Sequence, residues 1–343
     1  MDAPEPSPHR RRLRYRGTHP RRFGEKYKEL DPARDPATVA KVFASGKTPA
    51  GMHVPIMVGE ILAFLQPAPG QAGLDATLGY GGHAENLLAR LAPGGRLIGL
   101  DVDPVQLPRT VERLRSLGYE EPAFRAIRSN FAGLSKVLAE TGPFDFLLAD
   151  LGCSSMQIDD PGRGFTFKAA GPLDMRMNPE RGLSAREWLS RAKAETLTTV
   201  LRENSDESHA GELAIRLAGK DFPDTLALAR AIRAALPGQS EEAIESSIRR
   251  VFQAIRIAVN DEFGALDAFL RVLPQAIKPG GRVAILTFHS GEDRRVKLAL
   301  REGRRLGQWE NGNEDVITAG PEERRANPRS QPAKLRVAIR ARE

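Results

Sequence analysis

A glycine turn in the first half of the chain is the strongest chemical signal in the sequence. Residues 74–83 run from apolar side chains into an acid, Asp75, and then into Gly79-Tyr80-Gly81-Gly82-His83. Glycine lets the backbone approach a ligand where a side chain would block it, and a helix that begins after the turn offers free N–H groups. The pattern predicts a nucleotide-like cofactor at the end of a strand.

Further candidate residues follow three more apolar segments. Asp101 lies about 20 residues after the turn, the separation at which an acid commonly binds ribose hydroxyls. Phe131 stands where an aromatic ring can cover an adenine, and Asp150, with Ser154 and Ser155 in the following loop, stands where polar groups can meet reacting atoms. Each residue alone could be a helix cap or a core side chain. Because the four features follow four successive strands, we interpret them as one site.

The elements that position these residues alternate between strand and helix. The hydrophobic pattern predicts strands at about 72–77, 96–101, 123–128, 144–151, 282–288 and 335–340. It predicts helices at 55–65, 103–117 and 132–140, the second with Asp103 as N-cap and Pro104 in its first turn. This alternation is typical of an α/β fold with a parallel, doubly wound, Rossmann-like sheet, in which ligands bind at the carboxyl ends of the strands.

The alternation breaks after the fourth strand. Residues 156–239 contain helix-like runs and no convincing strand, and two more helices are predicted at 241–256 and 261–276. We therefore predict an all-helical insertion for substrate recognition at 158–241. It divides the sheet domain into 51–157 and 242–343, and residues 1–50 form a basic, partly disordered extension.

Charge is concentrated at the start of the chain. The net charge is +7, and residues 1–30 hold nine Lys or Arg against four acids, with Tyr15 and Phe23 among them. Such a segment either contacts RNA or is a solvated tail, and its acids argue against an organelle transit peptide. A single cysteine excludes an intrachain disulfide framework, and no apolar run could span a bilayer. We expect a cytoplasmic protein that is not associated with a membrane.

The type of cofactor follows from the motifs that are present and those that are missing. The turn is not G-x-G-x-x-G, which disfavours a dinucleotide, and the P-loop motif does not occur in the sequence. A glycine turn, a ribose acid and a polar motif after the fourth strand together resemble the S-adenosylmethionine methyltransferases with a Rossmann-like sheet.

A closer resemblance covers residues 53–340. The motifs that carry it include His53-Val54-Pro55, Gly81-Gly82-His83, Asp101-Val102-Asp103-Pro104, Asp150-Leu151-Gly152, Gly171-Pro172-Leu173-Asp174-Met175-Arg176-Met177, Val259-Asn260-Asp261-Glu262 and Phe288-His289-Ser290. This set is similar to the RsmH/MraW family of 16S ribosomal RNA cytosine-N4-methyltransferases. The block at 171–177 is highly specific. The chain departs from the family pattern at Cys153, 205–207, 249–251 and Gly291, mostly on the insertion side.

The resemblance implies a function and a set of cofactor contacts. It implies S-adenosylmethionine-dependent N4-methylation of a cytidine in the decoding region of 16S rRNA, with the small ribosomal subunit as partner. The residues that it implies as cofactor contacts are Gly81, Gly82, His83, Asp101, Phe131, Asp150 and Gln157. A homodimer is left open, and no metal is expected, because the six histidines show no ligand spacing.

Roles in the reaction can also be assigned as hypotheses. A cytosine amine is not basic, so we expect Asp150 to accept its protons while Ser154 and Ser155 shape the loop. Asp174, Arg176 and His289 either contact the target base or form a buried salt-bridge network that packs the insertion.

Two alternative functions remain open at this stage. RNA cytosine C5-methylation needs a thiolate, and those RNA enzymes use two cysteines where this chain has only Cys153. The other alternative is a non-catalytic rRNA-binding assembly factor that keeps the methyltransferase fold. Such a factor need not bind S-adenosylmethionine.

Overall fold

The computed structural model describes residues 55–310 and 316–342, apart from the side chain of Ser155. The predicted extension at 1–50 lies outside these residues. In the two described ranges no helix is both long enough and apolar enough to cross a membrane.

The centre of the fold is one mixed β-sheet. Its strand order is β3-β2-β1-β4-β5-β8-β6, with β7 paired to β8. The strands are β1 Ala72–Asp75, β2 Arg96–Asp101, β3 Phe124–Arg128, β4 Phe144–Asp150, β5 Ile277–Thr287, β6 Trp309–Glu310, β7 Ile317–Thr318 and β8 Lys334–Arg340. The first five are parallel, and β8 runs antiparallel to β5. The prediction of a Rossmann-like α/β sheet is confirmed.

The register of the parallel strands brings the predicted acids to one edge. Asp75 of β1 pairs with Gly99 and Leu148, two residues before the ends of β2 and β4. Asp101 and Asp150 are the last residues of those two strands. Because parallel strands present their carboxyl ends together, these three carboxyl groups converge above the middle of the sheet.

Helices cover both faces of the sheet. They are α1 Val58–Leu65, α2 Gly82–Leu91, α3 Gln106–Ser116, α4 Leu134–Thr141, α5 Ser155–Asp159, α6 Ala185–Arg191, α7 Ala194–Ser205, α8 Ala210–Leu217, α9 Thr225–Ala235, α10 Glu241–Asn260, α11 Glu262–Ala276, α12 Ser290–Arg305 and α13 Pro321–Ala326. Neighbouring residues of a strand point to opposite faces, so Leu147 packs with α4 and α11, whereas Leu148 packs with α1 to α3. Burial on both faces explains why the strands are apolar throughout.

The helices that follow β4 have a hydrophobic core of their own. Its buried residues run from Phe165 to Ile255 and come mainly from α6 to α10. Buried side chains of α10 from Ile244 to Ile255 belong to this cluster, although the predicted insertion ends at residue 241. The division into domains stays a prediction, and α10 is the element that joins the two parts.

Two local expectations differ from the structure. The helix expected from Asp103 begins at Gln106, because the Asp103 carboxylate accepts hydrogen bonds from Val105 N and Gln106 N and holds a turn there. Strand β5 begins at Ile277, because Ile277 already pairs with Phe144 of β4. The Pro279-Gly280-Gly281 segment, with Gly280 at φ of 75°, is an irregularity in the register before Arg282 pairs with Phe146. The two-residue strands β6 and β7 were not expected, since segments this short carry no periodicity.

Candidate active site

A cavity of about 380 Å³ opens at the carboxyl ends of the strands. Its wall includes the glycine turn, Asp101, Phe131, the loop after β4 and residues from α10 and α12. A side chamber of about 40 Å³ shares Phe131, Gly152 and Glu292 with it. The size and the mostly apolar lining with a few converging polar groups are those of a small-molecule site.

The glycine turn is built on backbone conformations that side chains disfavour. Gly79 and Gly81 have φ of 50° and 82°, in the left-handed region. A Cβ on Gly81 would lie 2.9 Å from Thr110 Cγ2, and one on Gly82 would lie 3.1 Å from Pro55. Thr110 Oγ1 donates to Gly79 O at 2.5 Å and fixes the turn. Helix α2 begins at Gly82, so its first N–H groups lie at the cavity wall.

Asp101 connects the glycine turn to the end of β2. One carboxylate oxygen accepts from Gly79 N at 2.9 Å and the other from Asp103 N at 2.8 Å. Burial raises the pKa of Asp101 to about 6, although these hydrogen bonds act to lower it. Because a carboxylate accepts about four hydrogen bonds, Asp101 can still bind ribose hydroxyls.

His83 and Asp150 lie side by side in the cavity wall, and the buried Asp75 is close to both. His83 Nε2 lies 3.6 Å from Asp150 Oδ2, and burial raises the pKa of the adjacent Asp75 to about 6. His83 Nε2 and Asp150 Oδ1 are buried and have no hydrogen-bond partner among the described residues. Such groups are uncommon in folded proteins and point to a polar ligand that completes them. Asp150 is fixed from behind, since its backbone N donates to Thr77 Oγ1 at 2.6 Å.

Phe131 and Gln157 differ in how directly they face the cavity. The Phe131 ring packs edge-to-face on Phe269 at 5.5 Å and lines both chambers. Gln157 also lines the cavity, but its amide is used internally. Its Nε2 donates to Asp103 Oδ2, and its Oε1 accepts from Ser154 N in a capping box. The structure thus gives Gln157 and Ser154 a role in holding the loop after β4.

These residues fit S-adenosylmethionine. The left-handed glycines leave room for a ligand against the backbone, Asp101 offers lone pairs for a ribose, and Phe131 offers an aromatic surface for an adenine. The unpartnered atoms of His83 and Asp150 suit the polar end of the molecule. Each predicted cofactor contact except Gly81 lines the cavity, and Gly81 is the N-cap of α2. As individual contacts they stay predictions.

Two of the three predicted substrate residues bind each other. Arg176 Nε and Nη2 donate to the two carboxylate oxygens of Asp174 at 2.8 and 2.7 Å. Burial opposes ionisation of Asp174, but the hydrogen bonds from Arg176 hold its pKa below the usual value. Neither residue is among those described that line the cavity, whereas His289 and Met177 are. This geometry favours the salt-bridge alternative for Asp174 and Arg176.

Arg163 connects the insertion to the cofactor side, a role that the sequence did not reveal. Its guanidinium donates to Asp103 Oδ2 at 2.7 Å and to the carbonyls of Arg176 and Met177 at 3.0 Å. Burial raises the pKa of Asp103, but hydrogen bonds from Gln157 and Arg163 outweigh it and hold that pKa below the usual value. Arg163 thereby holds the backbone of Met177, a residue that lines both chambers.

The wall opposite the glycine turn is a charge network that sequence reasoning missed. Arg256 donates to both carboxylate oxygens of Glu262, at 2.7 and 2.8 Å, and to Cys153 Sγ at 3.2 Å. Burial disfavours the charge on Arg256, yet Glu262 raises its pKa above the usual value. Burial also raises the pKa of the Cys153 thiol, which disfavours a thiolate nucleophile.

One group of side chains has metal-ligand geometry. Ligand atoms of Glu262, His289 and Glu292 lie within 4.8 Å of one another, which makes this the place where the described residues could hold an ion. Both oxygens of Glu262 already bind Arg256, so a cation there would compete with a buried guanidinium.

The chain is similar in sequence to a known protein family and to several named proteins. A family model described as the MraW methylase family matches residues 50–341. A protein of Lachnoclostridium phytofermentans named ribosomal RNA small subunit methyltransferase H 1 is 48% identical over 97% of this chain and 93% of its own. A protein of Alkaliphilus metalliredigens named ribosomal RNA small subunit methyltransferase H 2 is also 48% identical, over 96% of this chain and 97% of its own. The crystal structure of an rRNA methylase from Streptococcus thermophilus aligns with 84% of this chain and 99% of its own, at 12% identity and a TM-score of 0.39.

These matches decide several of the expectations. They confirm the predicted family, the methyltransferase activity and S-adenosylmethionine as cofactor, and they support neither C5-methylation nor a non-catalytic assembly factor. The cytoplasmic location, the homodimer and the roles of individual residues stay predictions. Because the family model matches residues 50–341 and relatives at 48% identity match more than nine-tenths of the chain, the chain belongs to the MraW methylase family.

Proposed function

We propose that the protein transfers a methyl group from S-adenosylmethionine to N4 of a cytidine in the decoding region of 16S rRNA, with the small ribosomal subunit as its partner. Membership of the MraW methylase family and relatives named for methylation of small-subunit ribosomal RNA support this function. The observation that carries the chemistry is Asp150, whose buried Oδ1 lacks a partner among the described residues at the cavity wall.

Asp150 suits the chemical problem that a cytosine amine poses. The nitrogen lone pair is delocalised into the ring, so the amine is a poor nucleophile and needs an acceptor for its proton as the N–C bond forms. Asp150 Oδ1 accepts a hydrogen bond from N4 and takes the proton as the S–CH₃ bond breaks. The proton then passes to solvent.

The remaining wall residues position the reactants. When bound, S-adenosylmethionine supplies an electrophilic methyl group. Asp101 orients the ribose, the turn at 79–83 leaves space for the polar end, and His83 lies beside Asp150, with Nε2 3.6 Å from Oδ2. Because methyl transfer needs in-line geometry, such positioning accounts for much of the rate. The target base leaves its stack to reach the cavity, as in other enzymes that act on a base.

Mass spectrometry of nucleosides tests the proposal directly. Purified protein is incubated with S-adenosylmethionine and either free 16S rRNA or assembled small subunits, and the digested RNA is analysed for N4-methylcytidine and 5-methylcytidine. We expect N4-methylcytidine at one decoding-region position. Formation of 5-methylcytidine, or tight cofactor binding without any methylation of either substrate, would overturn the proposal. The Cys153→Ser variant is the control, and we expect it to keep its activity.

A further inference from the structure

The structure fixes the position of the proton on His289. This residue is the N-cap of α12, and its side chain accepts from the backbone N of Glu292, 3.4 Å from Nδ1. A ring nitrogen that accepts a hydrogen bond carries no proton. The neutral imidazole therefore has its N–H at Nε2, on the other side of the ring.

That Nε2–H group is left without an acceptor. Nε2 is buried, and no described residue completes a hydrogen bond to it. Glu292 Oε1 lies 3.1 Å away but out of alignment, and the other oxygen of Glu292 accepts from Phe288 N at 2.8 Å. The ring is tilted against Phe263, with centroids 5.8 Å apart, so packing restricts its rotation. His289 lines the cavity, so a ligand that fills the cavity meets this side chain.

The fold places His289 beside the strand end that carries Asp150. Asp150 pairs with Leu286 in the register of β4 and β5, and His289 follows the end of β5. The two residues have complementary free groups, an acceptor oxygen and a donor nitrogen. Cytosine has the matching pattern, an amine donor beside the ring N3 and O2 acceptors.

We propose that His289 donates from Nε2 to the acceptor edge of the target cytosine while Asp150 accepts from its amine, so that the two side chains select cytosine together. This inference rests on the proposed function. A uracil would place its O4 acceptor against Asp150 and its N3–H against the donor of His289. Both mismatches leave buried polar groups unpaired, which is the strongest form of discrimination that a site can build.

Charged groups lie on several sides of His289. Glu262 and Glu292 share its cluster, Arg256 binds Glu262 through two hydrogen bonds, and Arg295 lies over the Phe263 ring that packs against the imidazole. Glu292 is a positioning residue, because it holds Phe288 N with one oxygen and stands beside Nε2 with the other.

Two substitutions separate base recognition from helix capping. His289→Ser keeps an N-cap acceptor for α12 but has no donor that reaches the base, whereas His289→Gln keeps a donor of similar reach and caps poorly. We expect the Ser variant to lose about 10- to 100-fold in kcat/KM for methylation of small-subunit rRNA, with S-adenosylmethionine affinity and Tm near wild type. We expect the Gln variant to keep activity within about tenfold of wild type while its Tm falls by a few degrees.

The reverse order would overturn the inference. If His289 is only a cap, the Ser variant stays fully active and the Gln variant is the weaker one. Wild-type protein in the same assay distinguishes the two proposals. If wild type forms no N4-methylcytidine, the proposed function fails, whereas an active wild type with an equally active Ser variant contradicts only the role of His289.

Discussion

The two walls of the cavity are built by different means. The wall at the ends of β1 and β2 consists of left-handed glycines, the start of α2 and Asp101, joined by hydrogen bonds to backbone groups. The opposite wall is a network of charged side chains around Arg256, drawn from α10, α11 and α12. The first wall depends on local backbone geometry, and the second depends on the mutual neutralisation of buried charges.

Each wall is sensitive to a different kind of substitution. A substitution in the glycine turn changes the shape that meets the cofactor, so affinity for the cofactor should respond first. A substitution in the charge network leaves a buried charge without its partner, so the stability of the fold should respond first. Asp150 lies between the two walls and should affect the chemical step itself.

The largest effect is expected where the walls meet. Asp150→Asn keeps the shape of the side chain but removes its ability to take a proton, so kcat should fall by about 10² to 10⁴. Affinity for S-adenosylmethionine, measured by isothermal titration, should change only a few-fold. Asp221→Asn is the matched control, because Asp221 forms an exposed pair with Arg186 and neither residue lines the cavity. Turnover that survives Asp150→Asn would remove this residue from the mechanism.

The charge network is tested by removing one carboxylate. Glu262→Gln leaves the buried guanidinium of Arg256 without its counter-ion, and we expect a loss of about 3–5 kcal/mol in the free energy of unfolding. Urea denaturation measures this loss. Glu245→Gln on α10, the helix that carries Arg256, breaks only an exposed pair with Arg249 and should change stability by less than about 0.5 kcal/mol. Equal losses of stability in the two variants would show that the buried Arg256–Glu262 pair contributes no more to stability than an exposed pair.

The cofactor wall should be sensitive to pH. Burial raises the pKa of Asp101 to about 6, so acidification below that value protonates a group that we expect to bind ribose. Affinity for S-adenosylmethionine should fall by about tenfold between pH 7 and pH 5. The stability of the protein without cofactor changes with pH in the opposite direction from cofactor affinity. Because the pKa of Asp101 is raised by folding, its contribution to stability is present below about pH 4 and is lost as the pH rises through about 6. In Asp101→Asn the pH dependence should be weaker, and an unaltered profile would contradict the assignment.

The smallest effect is expected in the glycine turn. Gly81→Ala places a Cβ on a left-handed residue, 2.9 Å from Thr110 Cγ2. It should lower the free energy of unfolding by about 1–2 kcal/mol. Titration should show cofactor affinity weakened by about tenfold. Gly59→Ala in α1 is the control, since nothing lies within 4 Å of its added Cβ, and it should stabilise the fold by up to about 1 kcal/mol. A Gly81→Ala protein that binds the cofactor normally would contradict the dependence of cofactor affinity on the shape of this turn.

Most of the sheet and the cofactor wall could be predicted from the sequence. The bounds of β2 agree with prediction, since alternation with helices and Gly-containing turns mark the strands of a parallel sheet. The convergence of Asp75, Asp101 and Asp150 follows from the rule that parallel strands present their carboxyl ends together. The functional roles of these residues rest on the family motifs as well.

The opposite wall could not be predicted in the same way. Arg256 and Glu262 lie on two helices, α10 and α11, separated by Asp261 in a left-handed conformation with φ of 48°. Their contact depends on that break, because residues six apart on one continuous helix do not meet. Gln157 shows the opposite limit. Its motif indicated a cofactor contact, but in the structure its amide binds Asp103 Oδ2 and Ser154 N.

The helical insertion has a consequence for how the chain folds. Residues 151–276 separate β4 from β5, which are hydrogen-bonded neighbours in the sheet. If this segment were a flexible loop, closing it would be entropically unfavourable, and pairings between such distant residues form slowly. A segment with its own core can collapse first and deliver its two ends side by side. Substitutions in the core of the insertion should therefore slow refolding of the sheet, even though they touch none of its strands.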